Sequence, residues 1–266
     1  MYQKLLWQLE INKDQLVKIL IKIPHSKSKY LYATNYSDDL RHLCKSDFGP
    51  WEFVSRSFFR SIASEFDLIL DIWAYTGVYT VETAILNPNC IIHSFEPNPE
   101  IFRIFKKNIE INKLERHVKL CPIALGQQIG TSKLFLSKNT PTSMATLNTM
   151  QSEYLEVLID TLDNIYFEKC IDLIKIDVKG FESEVFLGGK NTLERFKPII
   201  LAKALTQNEL RKQQLRLTKY GYKNPIQVHP TSFSDSRKYI WFSKADEFKV
   251  NYYLSKARKE YIHFKT

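Results

Sequence analysis

The feature that most restricts the fold is an alternation of short apolar segments with segments of helical periodicity, which begins near residue 66. Five apolar segments have the length of buried strands: DLILDIW, CIIHSFE, VKLCPIAL, IDLIKID and KPIILAKAL. Between the second and third of these, Phe102, Phe105 and Ile109 fall on one face of a helix. Strands and helices that alternate at these lengths predict an α/β fold, with a mostly parallel sheet covered by helices on both faces.

The remaining segments extend this pattern at both ends. PIQVH and RKYIWFS are predicted to be strands that close the sheet as an antiparallel hairpin, and SKLFLS and EVLID are predicted to be edge or hairpin strands. WEFVSRSFFRSIA has helical spacing, whereas QKLLWQLEINKDQLVKILIKI fits a helix or two strands. We therefore predict a main domain over residues 51–245, an N-terminal extension over residues 1–50 and a basic C-terminal tail over residues 246–266.

The net charge of +9 is concentrated in the last quarter of the chain. Residues 203–266 carry 14 basic and 5 acidic side chains, whereas residues 51–202 carry 16 and 19. A basic segment can bind nucleic acid or anionic lipid, but a solvated basic surface is the more common case. Because no motif of interleaved basic and aromatic residues accompanies it, the sequence predicts no clear nucleic-acid partner.

Several classes of site and location are disfavoured by what the sequence lacks. The four cysteines form no CxxC pair and the six histidines have no ligand spacing, so no metal site or disulfide framework is predicted. No apolar stretch approaches the roughly 18 residues of a membrane span, and the N-terminal residues have no signal-peptide pattern. With reduced cysteines, these features predict a cytoplasmic protein. The absence of GxxxxGK[ST] argues against a phosphate-cradling nucleotide hydrolase.

The candidate site follows from the position of polar residues at strand ends, because ligands bind beyond the carboxyl ends of an open parallel sheet. Asp71 ends the first strand of the sheet, and Gly77 allows a close approach at the start of the next helix. Glu96 ends the second strand 19 residues later, where a carboxylate can accept hydrogen bonds from two ribose hydroxyls. Ala124 and Leu125, after the third strand, are suited to flank a flat base.

Asp177 ends a further buried strand, within a charged cluster that includes Lys179 and Glu182. Each of these residues also has an ordinary structural explanation. Asp71 could cap the turn that follows it, Glu96 could be solvated in a loop, and Lys179 and Glu182 could form an i,i+3 ion pair on a helix. Asp177 is the hardest to explain in this way, because a carboxylate at the end of a buried strand usually belongs to a site in this architecture.

Over roughly residues 66–205, the chain resembles the FkbM family of S-adenosylmethionine-dependent methyltransferases. The resemblance depends on SFEPNP, ALG, TLD and KID followed by a glycine, in that order and spacing. It implies a Rossmann-like class I methyltransferase fold with S-adenosylmethionine as the cofactor. It also implies O-methylation of a sugar or another small hydroxylated acceptor, so a small molecule or a glycan is the expected partner.

The resemblance also assigns roles to the candidate residues. Asp71 and Gly77 would lie on the methionine side of the cofactor, and Glu96 would bind its ribose. Ala124 and Leu125 would lie near the adenine. Asp177 would face the methyl group and the acceptor, as a base or as a group that positions the acceptor hydroxyl.

The chain departs from the family pattern at four positions. Where the family usually reads D-x-G-A-N-x-G, this chain has Trp73 and Tyr75, and where the family usually has glutamate it has Lys179 and Lys203. An indole at a position that needs a positive φ would strain the loop by about 1–3 kcal/mol or fill the methionine pocket. The added lysines would repel a sulfonium and favour an anionic ligand. The alternative function is therefore a non-catalytic binding or assembly module that keeps the methyltransferase fold.

Overall fold

The computed structural model describes residues 16–34, 51–136, 146–147, 153–230 and 235–265. The strands are β1 (Val17–Lys22), β2 (Lys29–Thr34), β3 (Leu68–Ile72), β4 (Ile91–Phe95), β5 (Val118–Cys121), β6 (Ala124–Leu125), β7 (Gly130–Leu136), β8 (Glu153–Asp160), β9 (Leu173–Ile176), β10 (Ile199–Lys203), β11 (Ile226–Gln227) and β12 (Lys238–Trp241). The α-helices are α1 (Phe53–Ile62), α2 (Val78–Leu86), α3 (Pro99–Ile111), α4 (Glu182–Gly188), α5 (Lys190–Phe196), α6 (Gln207–Leu217) and α7 (Glu247–Lys265).

The main sheet has seven strands in the order β11-β12-β10-β9-β3-β4-β5. Strands β10, β9, β3, β4 and β5 are parallel, and β12 runs antiparallel to both β10 and β11. The predicted parallel sheet with an antiparallel closing pair is therefore confirmed. From β3 the chain continues to β4 on one side, and from β9 it continues to β10 on the other. The β3–β9 pair is therefore the topological switch point, where a ligand crevice is expected.

The two segments predicted to be edge or hairpin strands form a separate small sheet. Strands β7 and β8 pair antiparallel along their whole length, and β6 pairs with β8 in parallel, in the order β6-β8-β7. Because β6 follows β5 after two residues, this small sheet begins at the carboxyl edge of the main sheet.

Apolar side chains cover both faces of the main sheet. Along β3, Ile69 belongs to one hydrophobic cluster and Leu68, Leu70 and Ile72 belong to the other, as the two-residue period of a strand requires. Helices α1, α2, α3 and α7 contribute to the first cluster, and α4, α5 and α6 contribute to the second. Helices therefore pack on both faces of the sheet, and its edges carry the polar residues.

The segments flanking the family resemblance contribute to the same core. In the N-terminal part, Val17–Lys22 is a strand, and residues 1–15 lie outside the described residues. Tyr30 and Tyr32 of β2 and Leu254 of α7 are buried in the first hydrophobic cluster. The division after residues 50 and 245 stays a prediction. Among the described helices, none combines the length and the apolar character that a membrane crossing requires.

Candidate functional site

The loop between β3 and α2 holds three residues in the left-handed region of backbone space. The φ angles are +65° at Trp73, +56° at Tyr75 and +90° at Gly77. Glycine and asparagine adopt this region most easily, and larger side chains occupy it at a cost of about 1–3 kcal/mol. The loop therefore keeps the backbone of a glycine-containing turn, although Trp73 and Tyr75 stand at two of its three left-handed positions.

The side chain of Trp73 is part of the protein core. It is 6% exposed and belongs to the hydrophobic cluster that also contains Phe95, Ala124 and Leu125. The Lys175 ammonium donates a hydrogen bond to the Trp73 carbonyl oxygen over 2.8 Å. Burial of the indole and this hydrogen bond offset the strain of the backbone.

Gly77 begins α2 and cannot be replaced without rearrangement. A Cβ atom at this position would lie 2.1 Å from Cε2 of Phe105, whose ring is fully buried. The φ of +90° is a second reason for glycine. The sequence suggests a glycine here for close approach to a cofactor. The packing of the start of α2 against α3 is by itself a sufficient reason for this glycine.

Asp71 is fully buried, and both of its carboxylate oxygens have side-chain partners. Lys175 donates to Oδ1 over 2.9 Å, and Thr80 donates to Oδ2 over 2.8 Å. Since Lys175 also holds the carbonyl of Trp73, Asp71 fixes the loop indirectly through an ion pair across the switch point.

Glu96 connects this loop to the turn after β4. Its Oε2 accepts the Tyr75 N–H over 2.8 Å, and its Oε1 accepts the Asn98 N–H over 3.0 Å. Burial raises the pKa of Glu96 to about 7, although these two hydrogen bonds and Lys175 oppose the increase. Each carboxylate oxygen can accept two hydrogen bonds, so one acceptor position on each is left for a ribose hydroxyl. Glu96 is nevertheless only 2% exposed, so its role toward a ribose stays a prediction.

Ala124 and Leu125 form the short strand β6 and are each 1% exposed. The next residue, Gly126, donates its N–H to the Asp160 carbonyl over 2.9 Å and lies close to Phe181. The apolar segment predicted to flank a base is thus packed at the start of the small sheet, in the same cluster as Trp73.

Asp177 lies at the end of β9 among three lysines. Lys179 donates to Oδ1 over 2.6 Å, the Lys203 ammonium lies 3.5 Å from Oδ1, and Lys238 donates to Oδ2 over 3.3 Å. Lys238 also forms an ion pair with Glu52 over 3.0 Å. Lys179 pairs with Asp177 rather than with Glu182, so the i,i+3 ion pair considered from the sequence is not observed.

These contacts control the protonation of the cluster. Burial alone would raise the pKa of Asp177, but Lys179, Lys203, Lys238 and Lys175 outweigh it and hold the pKa well below its ordinary value. Burial and Lys203 lower the pKa of Lys179 to about 8, although Asp177 opposes the change. A carboxylate held so firmly in its ionised form is a weak proton acceptor, which favours a positioning role for Asp177.

Two members of the cluster lie far from the candidate residues in the sequence. Lys238 begins β12 and Glu52 precedes α1, and both are almost fully buried. No local pattern identifies either one, because each has its partner in a distant segment. Lys175 is different: a lysine within an apolar strand needs a buried partner, and Asp71 on the neighbouring strand is the natural one.

Residues 71–245 match the sequence profile of the methyltransferase FkbM domain, which is more than half of the chain. The solved structures with similar folds include methyltransferase FkbM from Methylobacillus flagellatus KT, with 14% identity and a TM-score of 0.46 over 66% of this chain and 43% of that one. They also include precorrin-6y C5,15-methyltransferase from Geobacter metallireducens GS-15, with 18% identity and a TM-score of 0.42 over 70% of this chain and 85% of that one.

A third similar structure is TYW2 of M. jannaschii in complex with AdoMet, with 13% identity and a TM-score of 0.44 over 85% of this chain and 84% of that one. The chain spans less than half the length of the Methylobacillus protein. No curated protein matches the chain significantly.

Proposed function

The chain belongs to the FkbM methyltransferase family, and from this premise we propose that it transfers a methyl group from S-adenosylmethionine to a hydroxyl of a sugar or another small molecule. The observation that carries the proposal is the hydrogen bond from the Tyr75 N–H to Oε2 of Glu96. It joins the loop after β3 to the acid after β4 beside the switch point, where open α/β sheets bind their ligands.

In this proposal, Asp71 and Gly77 shape the methionine side of the cofactor site, and Glu96 accepts hydrogen bonds from the ribose. Ala124 and Leu125 flank the adenine. When bound, the cofactor supplies a methyl group that its sulfonium already activates. Asp177 would accept the hydrogen bond of the acceptor hydroxyl and hold its oxygen toward the methyl site, and the hydroxyl proton would leave to water.

A second function, a non-catalytic module with the methyltransferase fold, is favoured by one specific observation. The Trp73 indole occupies the same hydrophobic cluster as Ala124 and Leu125, and it stands where the family usually has glycine. If this indole takes the space of the cofactor, the chain keeps the fold and loses the reaction.

Calorimetric titration with S-adenosylmethionine separates the two functions. The methyltransferase proposal predicts a Kd of about 10 μM, which corresponds to about −7 kcal/mol. We expect Glu96→Gln to weaken this binding at least tenfold, and Glu100→Gln, an exposed acid in the next helix, to leave it unchanged. Binding that is undetectable in the parent chain and present in the Trp73→Gly/Tyr75→Asn double variant would instead support the non-catalytic module.

A further inference from the structure

The Lys203 ammonium makes one ion pair and no hydrogen bond with the described residues. It lies 3.5 Å from Oδ1 of Asp177, an ion pair without a hydrogen bond, and no other acceptor contacts it in the part of the chain that the structure describes. The side chain is 17% exposed, so the ammonium with its three donors is accessible from the carboxyl edge of the sheet. Donors that reach solvent at such an edge are free to bind water or an acidic ligand.

The acids at this edge of the sheet are already engaged. Asp71 pairs with Lys175, and Asp177 is shared by three lysines. Asp235 accepts the N–H groups of Val54 and Ser55 at the start of α1, over 3.2 and 3.0 Å. Each of these acids therefore has partners that compete with Lys203 for its charge.

Glu182 adds little negative charge to this edge at neutral pH. Its side chain is almost fully buried, and its Oε1 has no hydrogen-bond partner among the described residues. Burial raises the pKa of Glu182 to about 8, and the neighbouring charge of Asp177 raises it further. Because the carboxyl is mostly neutral at pH 7, Glu182 does not balance the ammonium groups of Lys179 and Lys203, which share the single carboxylate oxygen Oδ1 of Asp177.

We propose that Lys203, assisted by Lys179, binds an anionic group on the methyl acceptor, which makes acidic sugars and related hydroxy acids the substrate class. Lys203 ends β10 and Lys179 follows the neighbouring parallel strand β9, and both lie beside Asp177, the residue assigned to the acceptor hydroxyl. The ammonium groups match a carboxylate or a phosphate by charge and donor number. The identity of this anion as the acceptor rests on the proposed function, whereas its binding to Lys203 does not.

The test is an NMR titration of the full chain, without cofactor, using glucuronate, glucose 6-phosphate and glucose. We expect at least one of the two acids to bind tenfold or more tightly than glucose, and the tighter acid identifies the anionic group as carboxylate or phosphate. Lys203→Met should reduce that affinity at least tenfold, and Lys203→Arg should retain most of it. Lys212→Met, a change of an exposed lysine on α6, should have no effect.

Three outcomes would overturn the proposal: equal affinities for all three sugars, no measurable binding of either acid, or binding unaffected by Lys203→Met. A thermal melt of each variant confirms that the fold is retained, and Lys203→Arg tests the charge if Lys203→Met does not fold.

Titration with S-adenosylhomocysteine separates the two proposals. If Lys203→Met weakens this ligand and leaves the acids unaffected, the lysine serves the cofactor and the anion site is wrong. If the cofactor product does not bind while the acids bind through Lys203, the anion site stands and the methyltransferase function fails.

Discussion

Three non-glycine residues at the carboxyl edge of the sheet have backbone conformations that favour glycine. They are Trp73, Tyr75 and Lys179, and all three stand where the chain departs from the usual family pattern. Strain of about 1–3 kcal/mol per residue persists only where the surroundings fix the conformation. At Trp73, the buried indole and the Lys175 hydrogen bond fix the backbone conformation. At Lys179, the ion pair with Asp177 fixes it. The loop that follows β3 therefore keeps its left-handed backbone through packing, without the glycine and asparagine usual in the family.

At the same scale, the buried carboxyl of Glu182 makes stability depend on pH. Its pKa in the folded protein, about 8, lies above the ordinary value of 4.5. The folded state therefore binds the proton more tightly than the unfolded chain, and the free energy of unfolding falls as the pH rises between these two values. One pKa unit corresponds to about 1.4 kcal/mol. Since an amide has no charge to gain as the pH rises, we expect Glu182→Gln to become more stable than the parent, by at most about 5 kcal/mol above pH 8.

Urea denaturation across the pH range measures this difference. The advantage of Glu182→Gln should be absent near about pH 4 and should grow until about pH 8. Glu194→Gln, a change at an exposed position on α5, should show no such trend. A constant difference between Glu182→Gln and the parent at all pH values would contradict the prediction.

At the scale of elements, one asparagine of α3 attaches the N-terminal hairpin to the loop that follows β3. The side chain of Asn108 accepts the Ala33 N–H over 2.6 Å and donates to the carbonyls of Ala33 and Thr76 over 3.1 and 2.9 Å. The hydroxyls of Tyr32 and Thr76 are also hydrogen bonded to each other. The β1–β2 hairpin therefore supports the loop that follows β3, although it lies outside the residues matched to the family.

We expect Asn108→Ala to loosen the hairpin and lower the free energy of unfolding by about 2–4 kcal/mol, because it leaves buried backbone groups unpaired. Hydrogen exchange should show lost protection in β1, in β2 and around Thr76. Asn112→Ala is the matched control: this asparagine also bonds the backbone of β2, through the N–H and carbonyl of Leu31, but in an exposed position. It should cost less than about 1 kcal/mol. Similar losses in the two variants would show that burial is not the cause.

Most elements of the main sheet could be predicted from the sequence, because their burial on both faces gives continuous apolar segments. The parallel strands and the closing antiparallel pair are of this kind, whereas α1 is predicted by its helical spacing. Helix α7 was not predicted, although Val250, Leu254, Ala257 and Tyr261 recur at helical spacing and are buried. Its many lysines and arginines give this segment the composition of a basic tail. Charge composition describes the solvated side of a helix and carries no information about the side that packs.

At the scale of the whole molecule, α7 completes the core beneath α1. We expect Leu254→Ala to lower the free energy of unfolding by about 2–5 kcal/mol, since it opens a cavity at a buried site. Tyr252→Ala, on the same helix but 57% exposed, should change it by less than about 0.5 kcal/mol. Denaturation in urea measures both. If Leu254→Ala melts like the parent, residues 246–266 are an appendage, as the sequence-based division of domains implies.

In the candidate site too, a residue can be predicted only when its own segment identifies it. Asp71, Gly77, Glu96 and Asp177 could be named because strand ends can be recognised locally. The ion pair of Lys238 with Glu52 could not, because nothing in either segment specifies the other. Charge balance at the edge of the sheet is a property of the assembled chain.

The position of Lys238 also has a consequence for the order of assembly during synthesis. Its ion pairs join residues that precede α1 and follow β9 to a strand near the C-terminal end. A ribosome releases the parallel strands first, and these two ion pairs cannot form until residue 238 has emerged. Until then, Asp177 lacks one of its three lysine partners. The nascent chain can therefore acquire its sheet before its candidate site is complete, and a chain truncated before β12 would lack the ammonium that both acids share.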